Sequence, residues 1–312
     1  MIRKVAFIGL GIMGSAMAAN LVRKGFAVTG YVRRKERIEA LKWLQIPIVT
    51  SIPEACSGAD AVITMVGGPN DVKQLWLGEG GIVDSAPRGA LLCDMTSSSP
   101  TLARALHEKC KARGLRAIDA PVSGGDKGAK AGTLSIFCGG EKEDFEHARP
   151  MLKAMGENVV LEGGPGAGQD TKLAAQILVA GQLAGICEGF AYAMERGLDL
   201  EKFAASLKGS AADSAGLALY AERIVAGDRQ PGGALSYLVK DLKNALSELK
   251  GTGIDLNVTS EALSNYQAMQ DRGDGGLGTQ ALAFEYSRRR GAGVKEPRQM
   301  PAADSVEKED KQ

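Results

Sequence analysis

The sequence predicts an α/β protein, with a doubly wound, mostly parallel sheet over residues 1–163 followed by an all-helical C-terminal domain over residues 164–290. Three observations predict it. Short apolar, β-branched runs recur at residues 5–9, 27–31, 61–65, 90–93, 116–120, 134–138 and 159–161. Helix-period segments separate the first several of them, which is the alternation that builds parallel βαβ units. Strand patterning then stops at Gly163, and the rest reads as helices over about 168–196, 199–208, 212–226, 234–251, 258–272 and 279–290, divided by Gly, Asp or Pro. Length agrees, because 312 residues exceed the usual domain span of roughly 100–200 residues.

The first strand and helix carry a phosphate-binding signature. Glycine supplies 41 of the 312 residues, about 13% against a usual share of roughly 7%, and three of them stand in VAFIGLGIMGSAMAANLVRKG as Gly9, Gly11 and Gly14. This G-x-G-x-x-G order directly after a strand and at the opening of a helix is the dinucleotide fingerprint of a Rossmann-type fold. The first glycine permits the tight turn, the second lets backbone approach a pyrophosphate, and the third lets helix and strand pack closely. The stretch Gly9, Leu10, Gly11, Ile12, Met13 and Gly14 is therefore the predicted pyrophosphate cradle.

The second strand runs into Val32, Arg33 and Arg34. An acidic residue that would hold an adenosine ribose is missing there, and two guanidinium groups suit a 2′-phosphate in charge and in bidentate geometry. NADP(H) is the expected cofactor, with NAD(H) possible. Two solvated arginines at a helix start are the plainer alternative.

Further along, DAPVSGG ends a strand in Pro121 and presents Ser123, Gly124 and Gly125, a hydroxyl and accessible N–H groups that form a small anion nest. Lys172 follows a glycine-rich connector and begins the longest helix, on the expected domain boundary where clefts form. From position alone it is either a solvated charge or a proton carrier. The apolar stretch 173–194 approaches membrane length, but Gln176, Gln182 and Glu188 interrupt it, and Gly181, Gly185 and Gly189 suit close helix packing. It reads as a helix buried between domains or subunits, and no membrane partner is expected. Residues 291–312 have no aromatic residue, two prolines and mixed charge, the composition of a disordered tail.

Charge and cysteine content narrow the class. With 38 basic against 37 acidic residues, no global field favours a nucleic acid or an anionic membrane. Five cysteines, odd in number and never in a C-x-x-C pair, fit a reducing compartment better than a disulfide framework or a zinc site. Only two histidines, His107 and His147, are present, so neither a multi-histidine metal centre nor a His-based triad is expected. The opening residues lead straight into a strand without a signal-peptide pattern, and the expected location is cytoplasmic.

Six motifs in order resemble the β-hydroxyacid dehydrogenases, the family of 3-hydroxyisobutyrate dehydrogenase, tartronate semialdehyde reductase and glyoxylate/succinic semialdehyde reductase. They are FIGLGIMGSAMAANL, ITMVGGPNDV, DMTSSSP, DAPVSGGDKGAKAGTL, GPGAGQDTK and VKDLKNAL. The resemblance implies a small hydroxyacid or semialdehyde substrate and a homodimer or homotetramer. It gives Lys172 the general acid/base role and the DAPVSGG turn the substrate carboxylate. It also places Lys240 near the cofactor, Asp241 near the substrate, and Val66, Gly67, Thr96 and Ser97 beside the nicotinamide. Two departures stand out. Where the family commonly carries an Asn that binds substrate, this chain has Ala175 and Gln176, and Gln176 is the expected substitute. Where some members line the pocket with Phe, it has Gly233. The competing expectations are a dinucleotide-binding scaffold without catalysis and a reductase of imines or other carbonyls. The scaffold is disfavoured because Lys172 is present. The imine reductases usually replace that lysine with Asp or Tyr. A 6-phosphogluconate dehydrogenase is disfavoured by that family's longer helical domain.

Overall fold

A computed structural model describes residues 1–288; the expected tail at 291–312 lies outside them. The elements run β1 Lys4–Ile8, α1 Ile12–Arg23, β2 Ala27–Tyr31, α2 Glu36–Glu39, β3 Ile48–Val49, α3 Ile52–Cys56, β4 Ala61–Thr64, α4 Pro69–Leu77, α5 Ile82–Ser85 and β5 Leu91–Asp94. They continue α6 Pro100–Ala112, β6 Arg116–Asp119, β7 Val122–Ser123, α7 Gly125–Ala131, β8 Leu134–Gly139, α8 Lys142–Leu152 and β9 Gly156–Gly163. Then follow α9 Ala167–Glu195, α10 Leu200–Ser206, α11 Ala215–Val225, α12 Leu235–Glu248, α13 Asn257–Asp271 and α14 Leu282–Arg288.

Eight strands follow the order β3-β2-β1-β4-β5-β6-β8-β7, and β9 pairs with β8. All pairings from β3 to β6 are parallel, whereas β8 runs antiparallel to β6 and β7. Both faces of the sheet are covered, which explains why its strands read as continuous apolar runs. Val5, Phe7, Ala61, Ile63, Leu91 and Cys93 enter one core cluster. Their chain neighbours Ala6, Ile8, Val62, Ala90 and Leu92 enter the other. The two short strands β3 and β7 escape the sequence reading, because two-residue strands have no periodicity to detect. Pro121 separates β6 from β7: it has no N–H to donate, and its carbonyl accepts from Phe137 N–H at 3.0 Å.

Beyond residue 170 no strand longer than an isolated bridge, Ala234 to Gly278, is present among the described residues. By compactness the chain forms two units, and the division passes through α9. The first comprises Met1–Gly181 and Pro231–Gly278, the second Gln182–Gln230 and, among the described residues, 279–288. The first holds the sheet, the opening half of α9, α12 and α13. Within the second, Phe190 and Phe203 pack edge to face at 5.3 Å, and Gln280 donates to the carbonyls of Asp228 and Gln230 at 2.9 and 3.0 Å.

Candidate active site

Strand order reverses at β1, which lies between β2 and β4, and in such sheets ligands bind outside the carboxyl ends at that point. Glycines 9, 11 and 14 divide their roles there as the fingerprint requires. At Gly9 the φ is +104° and a Cβ would stand 2.2 Å from Met65 O; at Gly14 it would stand 1.9 Å from Gly9 O. At Gly11 a Cβ would meet nothing within 4 Å. Two positions are thus closed by this chain's own backbone, and the third opens outward. The N-terminus of α1, capped by Gly11, has no side-chain cap and no acidic residue in its first turn. Its bare N–H groups and partial positive charge fit a pyrophosphate. Leu10 is buried, Met13 half-buried, and Ile12 exposed beside them.

At the end of β2, Val32 is buried and Arg34 exposed. Arg33 forms an ion pair with Asp71 of α4 at 3.5 Å, with side-chain exposures of 73% and 36%. The sequence reading missed Asp71. It stands in the ITMVGGPNDV motif, and only the fold brings it across to β2.

The loops after β4 and β5 are stitched together by a buried polar network. Asp94 accepts from Thr64 Oγ1 at 2.8 Å and from Thr96 N–H at 3.1 Å. Trp76 Nε1 donates to Thr64 at 3.2 Å, and Val66 N–H donates to Thr96 Oγ1 at 3.0 Å. Burial pushes the Asp94 carboxyl up to about 7, against the lowering by its bonds from Thr64 and Thr96. Val66 and Thr96 are therefore joined directly, and Gly67 is close to the Asp71 carboxylate.

Helix α9 is fastened to those loops at its first turn. The Asp119 carboxylate accepts from the N–H groups of Gly166 and Gln169 at 2.7 and 2.8 Å. Fully buried Gln169 accepts from Ser98 N–H at 2.8 Å and donates to Thr96 O at 2.7 Å. Three residues on, Lys172 is 7% exposed. Its Nζ donates to Gln176 Oε1 at 3.2 Å, and Gln176 Nε2 donates to Asp241 Oδ2 at 2.9 Å. Asp241 Oδ1 accepts from Ser97 Oγ at 2.7 Å and pairs with Lys240 Nζ at 2.8 Å; Lys240 also donates to Ser97 O. Burial holds the Lys172 ammonium below the usual lysine range, Asp241 opposes this and Lys240 adds to it. A buried amine of this kind can exchange a proton nearer neutral pH.

Five residues named from sequence, Lys172, Gln176, Asp241, Ser97 and Lys240, thus meet in one network inside the first unit. Ser123, Gly124 and Gly125 lie at the β7 to α7 junction, where Gly124 and Gly125 take φ of +129° and +61°. No side-chain hydrogen bond joins them to that network among the described residues. Sequence reading missed Gln169 and Asp119. Neither carried a signal in the sequence: Asp170 and Thr171 stand beside Gln169 in the same first turn of α9, so its polarity marks no face.

Family models match most of the chain. The NAD binding domain of 6-phosphogluconate dehydrogenase covers residues 4–164, and the NAD-binding domain of NADP-dependent 3-hydroxyisobutyrate dehydrogenase covers 166–285. The 3-hydroxyisobutyrate dehydrogenase-like protein 3 of Arabidopsis thaliana is 39% identical over 89% of this chain and 86% of its own length. The 2-hydroxy-3-oxopropionate reductase of Escherichia coli is 33% identical over 89% of this chain and 95% of its own. The solved structure of Mycobacterium tuberculosis 3-hydroxyisobutyrate dehydrogenase with L-serine superposes with a TM-score of 0.82 and 29% identity, over 92% of this chain and 99% of that one. The chain belongs to the β-hydroxyacid dehydrogenase family, the NAD(P)-dependent oxidoreductases of the 3-hydroxyisobutyrate dehydrogenase type.

Proposed function

We propose that this protein transfers a hydride between NADP(H), or NAD(H), and a small 3-hydroxyacid or semialdehyde, with Lys172 as general acid/base. The observation that carries the reading is a lysine withdrawn from water and hydrogen-bonded into the Gln176–Asp241–Ser97 network, in the same compact unit as the glycine cradle. When bound, the nicotinamide supplies the hydride acceptor or donor. Lys172 takes the substrate's hydroxyl proton in oxidation and returns a proton to the carbonyl oxygen in reduction. Ser123, Gly124 and Gly125 offer a hydroxyl and N–H groups to the substrate carboxylate, while Asp241 and Gln176 border the same space. Gly9, Leu10, Gly11, Ile12, Met13 and Gly14 hold the pyrophosphate, Arg33 and Arg34 the adenosine 2′-phosphate. Val66, Gly67, Thr96, Ser97 and Lys240 flank the nicotinamide end.

Substrates fitting this arrangement are 3-hydroxyisobutyrate, L-serine, tartronate semialdehyde, glyoxylate and succinic semialdehyde. The test is a panel of these compounds with both cofactors. Turnover of none of them, alongside tight dinucleotide binding, would favour a binding scaffold instead. The protein works as a homodimer or homotetramer, a reading supported by Leu178 of α9 and Val258 of α13, 74% and 67% exposed. By length and composition α9 is long and apolar enough to cross a membrane. The buried, bonded Gln169 and Lys172 at its start favour a helix of a folded domain. Five free, buried cysteines support a reducing, cytoplasmic setting.

A further inference from the structure

We propose that Gln176 is a positioning residue for Lys172: its amide occupies the gap between the lysine Nζ and the Asp241 carboxylate, so the lysine is held by a neutral acceptor and not locked in an ion pair. The inference rests on the general acid/base reading of Lys172 and adds to it a residue that acts through the lysine.

The geometry permits one arrangement. Residues 172 and 176 share a helix face at the i, i+4 spacing. A glutamine amide has one carbonyl and one NH2 group, so only the orientation with the carbonyl toward the ammonium and the NH2 toward the carboxylate satisfies both neighbours. Those contacts are the 3.2 Å and 2.9 Å bonds of Gln176. Asp241 is 3% exposed and cannot swing away. Ser97 Oγ and Lys240 Nζ hold its other oxygen at 2.7 and 2.8 Å. Lys172 has no ion pair within 4.0 Å among the described residues.

The remaining charged groups around the lysine are already engaged. Lys240 and Asp241, both from α12, pair with each other at 2.8 Å. On α9 itself Asp170 pairs with Arg104 of α6 at 3.2 Å. From β6, Asp119 is occupied by two backbone N–H groups. From the loop after β5, Ser97 contributes an uncharged hydroxyl. The one carboxylate able to capture Lys172 is Asp241, and the Gln176 amide stands in its path. Depriving Lys172 of this spacer lets it reach a carboxylate, and an opposite charge within about 4–6 Å favours the ammonium by about 1–3 pH units.

The test compares full-length wild type with Gln176→Glu, which places a carboxylate at the lysine, and Gln176→Asn, one methylene too short to hold both contacts. The readouts are the NMR titration of lysine 13Cε, with the Lys172 signal assigned by its loss in Lys172→Ala, and the pH profile of kcat/KM for 3-hydroxyisobutyrate oxidation. The expected result is a Lys172 titration moved upward by about 1–3 units in Gln176→Glu and by less in Gln176→Asn. The acid limb of kcat/KM should move with it. A Lys172 signal titrating as in wild type, in whichever variant folds, overturns the inference. Turnover surviving in Lys172→Ala would instead overturn the acid/base reading, which the titration does not depend on.

Discussion

Asp119 accepts the backbone N–H of Gln169 at 2.8 Å and thereby fixes the first turn of the helix that carries Lys172. The same carboxylate takes the N–H of Gly166 at 2.7 Å. Glycine at 168 is needed for this approach, because a Cβ there would meet Phe137 O at 2.3 Å and Asp119 Oδ2 at 2.8 Å. Asp119→Ala would strand two buried donors, each costing about 1–3 kcal/mol. A loss of at least about 2 kcal/mol is therefore expected in urea denaturation, with lowered kcat as α9 loosens. Unchanged stability would show that water replaces the carboxylate.

Lys172→Ala should remove about 10²–10⁴ of the turnover rate while leaving dinucleotide affinity nearly intact, because the side chain is bonded to Gln176 and not to the glycine cradle. Lys172→Arg should be almost as damaging, since a guanidinium stays protonated and cannot accept the hydroxyl proton. The measurement is kcat at saturating cofactor beside fluorescence titration of NADPH. A Lys172→Arg enzyme keeping more than about a tenth of wild-type oxidation, against that expected loss, would place the proton carrier elsewhere.

NADPH should bind more tightly than NADH, and Arg33→Ala with Arg34→Ala should remove most of the preference, each charge-assisted contact contributing about 1.5–3 kcal/mol. The Arg33–Asp71 pair adds a second arm. Arg33 is well exposed and Asp71 over a third exposed, so the pair is worth at most about 1 kcal/mol. Freeing Arg33 by Asp71→Asn should tighten NADPH by up to about fivefold and leave NADH unchanged. Equal affinities for both cofactors in the wild type would end the 2′-phosphate assignment.

The buried Asp94 carboxyl makes stability pH-dependent with a definite sign. Burial raises it from 3.8 to about 7, so between those values the folded protein holds more protons than the unfolded chain. Its contribution is full below about pH 4, falls as pH rises through about 7, and then levels off. Denaturation midpoints across this range should decline relative to those of Asp94→Asn. Parallel profiles for the two proteins would remove Asp94 as the source.

Leu178→Glu should shift the protein toward monomer in sedimentation, because it charges a side chain 74% exposed on α9. Val258 of α13, 67% exposed, lies beside Gly181 one turn further along α9. A wild-type protein that sediments as a 32.6 kDa monomer at micromolar concentration would contradict the oligomer.

Much of the candidate site was legible because its chemistry is local. Gly9, Gly11 and Gly14 act through a backbone turn whose form follows from residue type, and the apolar runs that build the sheet announce themselves by burial on both faces. Lys172 stood out through the glycine connector before it, although its role came from the resemblance. Asp71, Asp94, Asp119 and Gln169 gave no such signal. Their partners lie 38, 30, 50 and 73 residues away in sequence, and a lone carboxylate or amide looks the same whether solvated or buried.

By itself, then, the sequence determined the parallel sheet, the cradle and the residue types available for catalysis, since turn geometry and hydrophobic burial depend on near neighbours. Tertiary structure alone decided that Gln176 stands between Lys172 and Asp241, that Asp119 ties down α9, and that Arg33 meets Asp71. Those relationships are set by where strand ends and the helices α4, α9 and α12 converge, and a side chain's charge and reach take on meaning only against the groups the fold puts in contact with it.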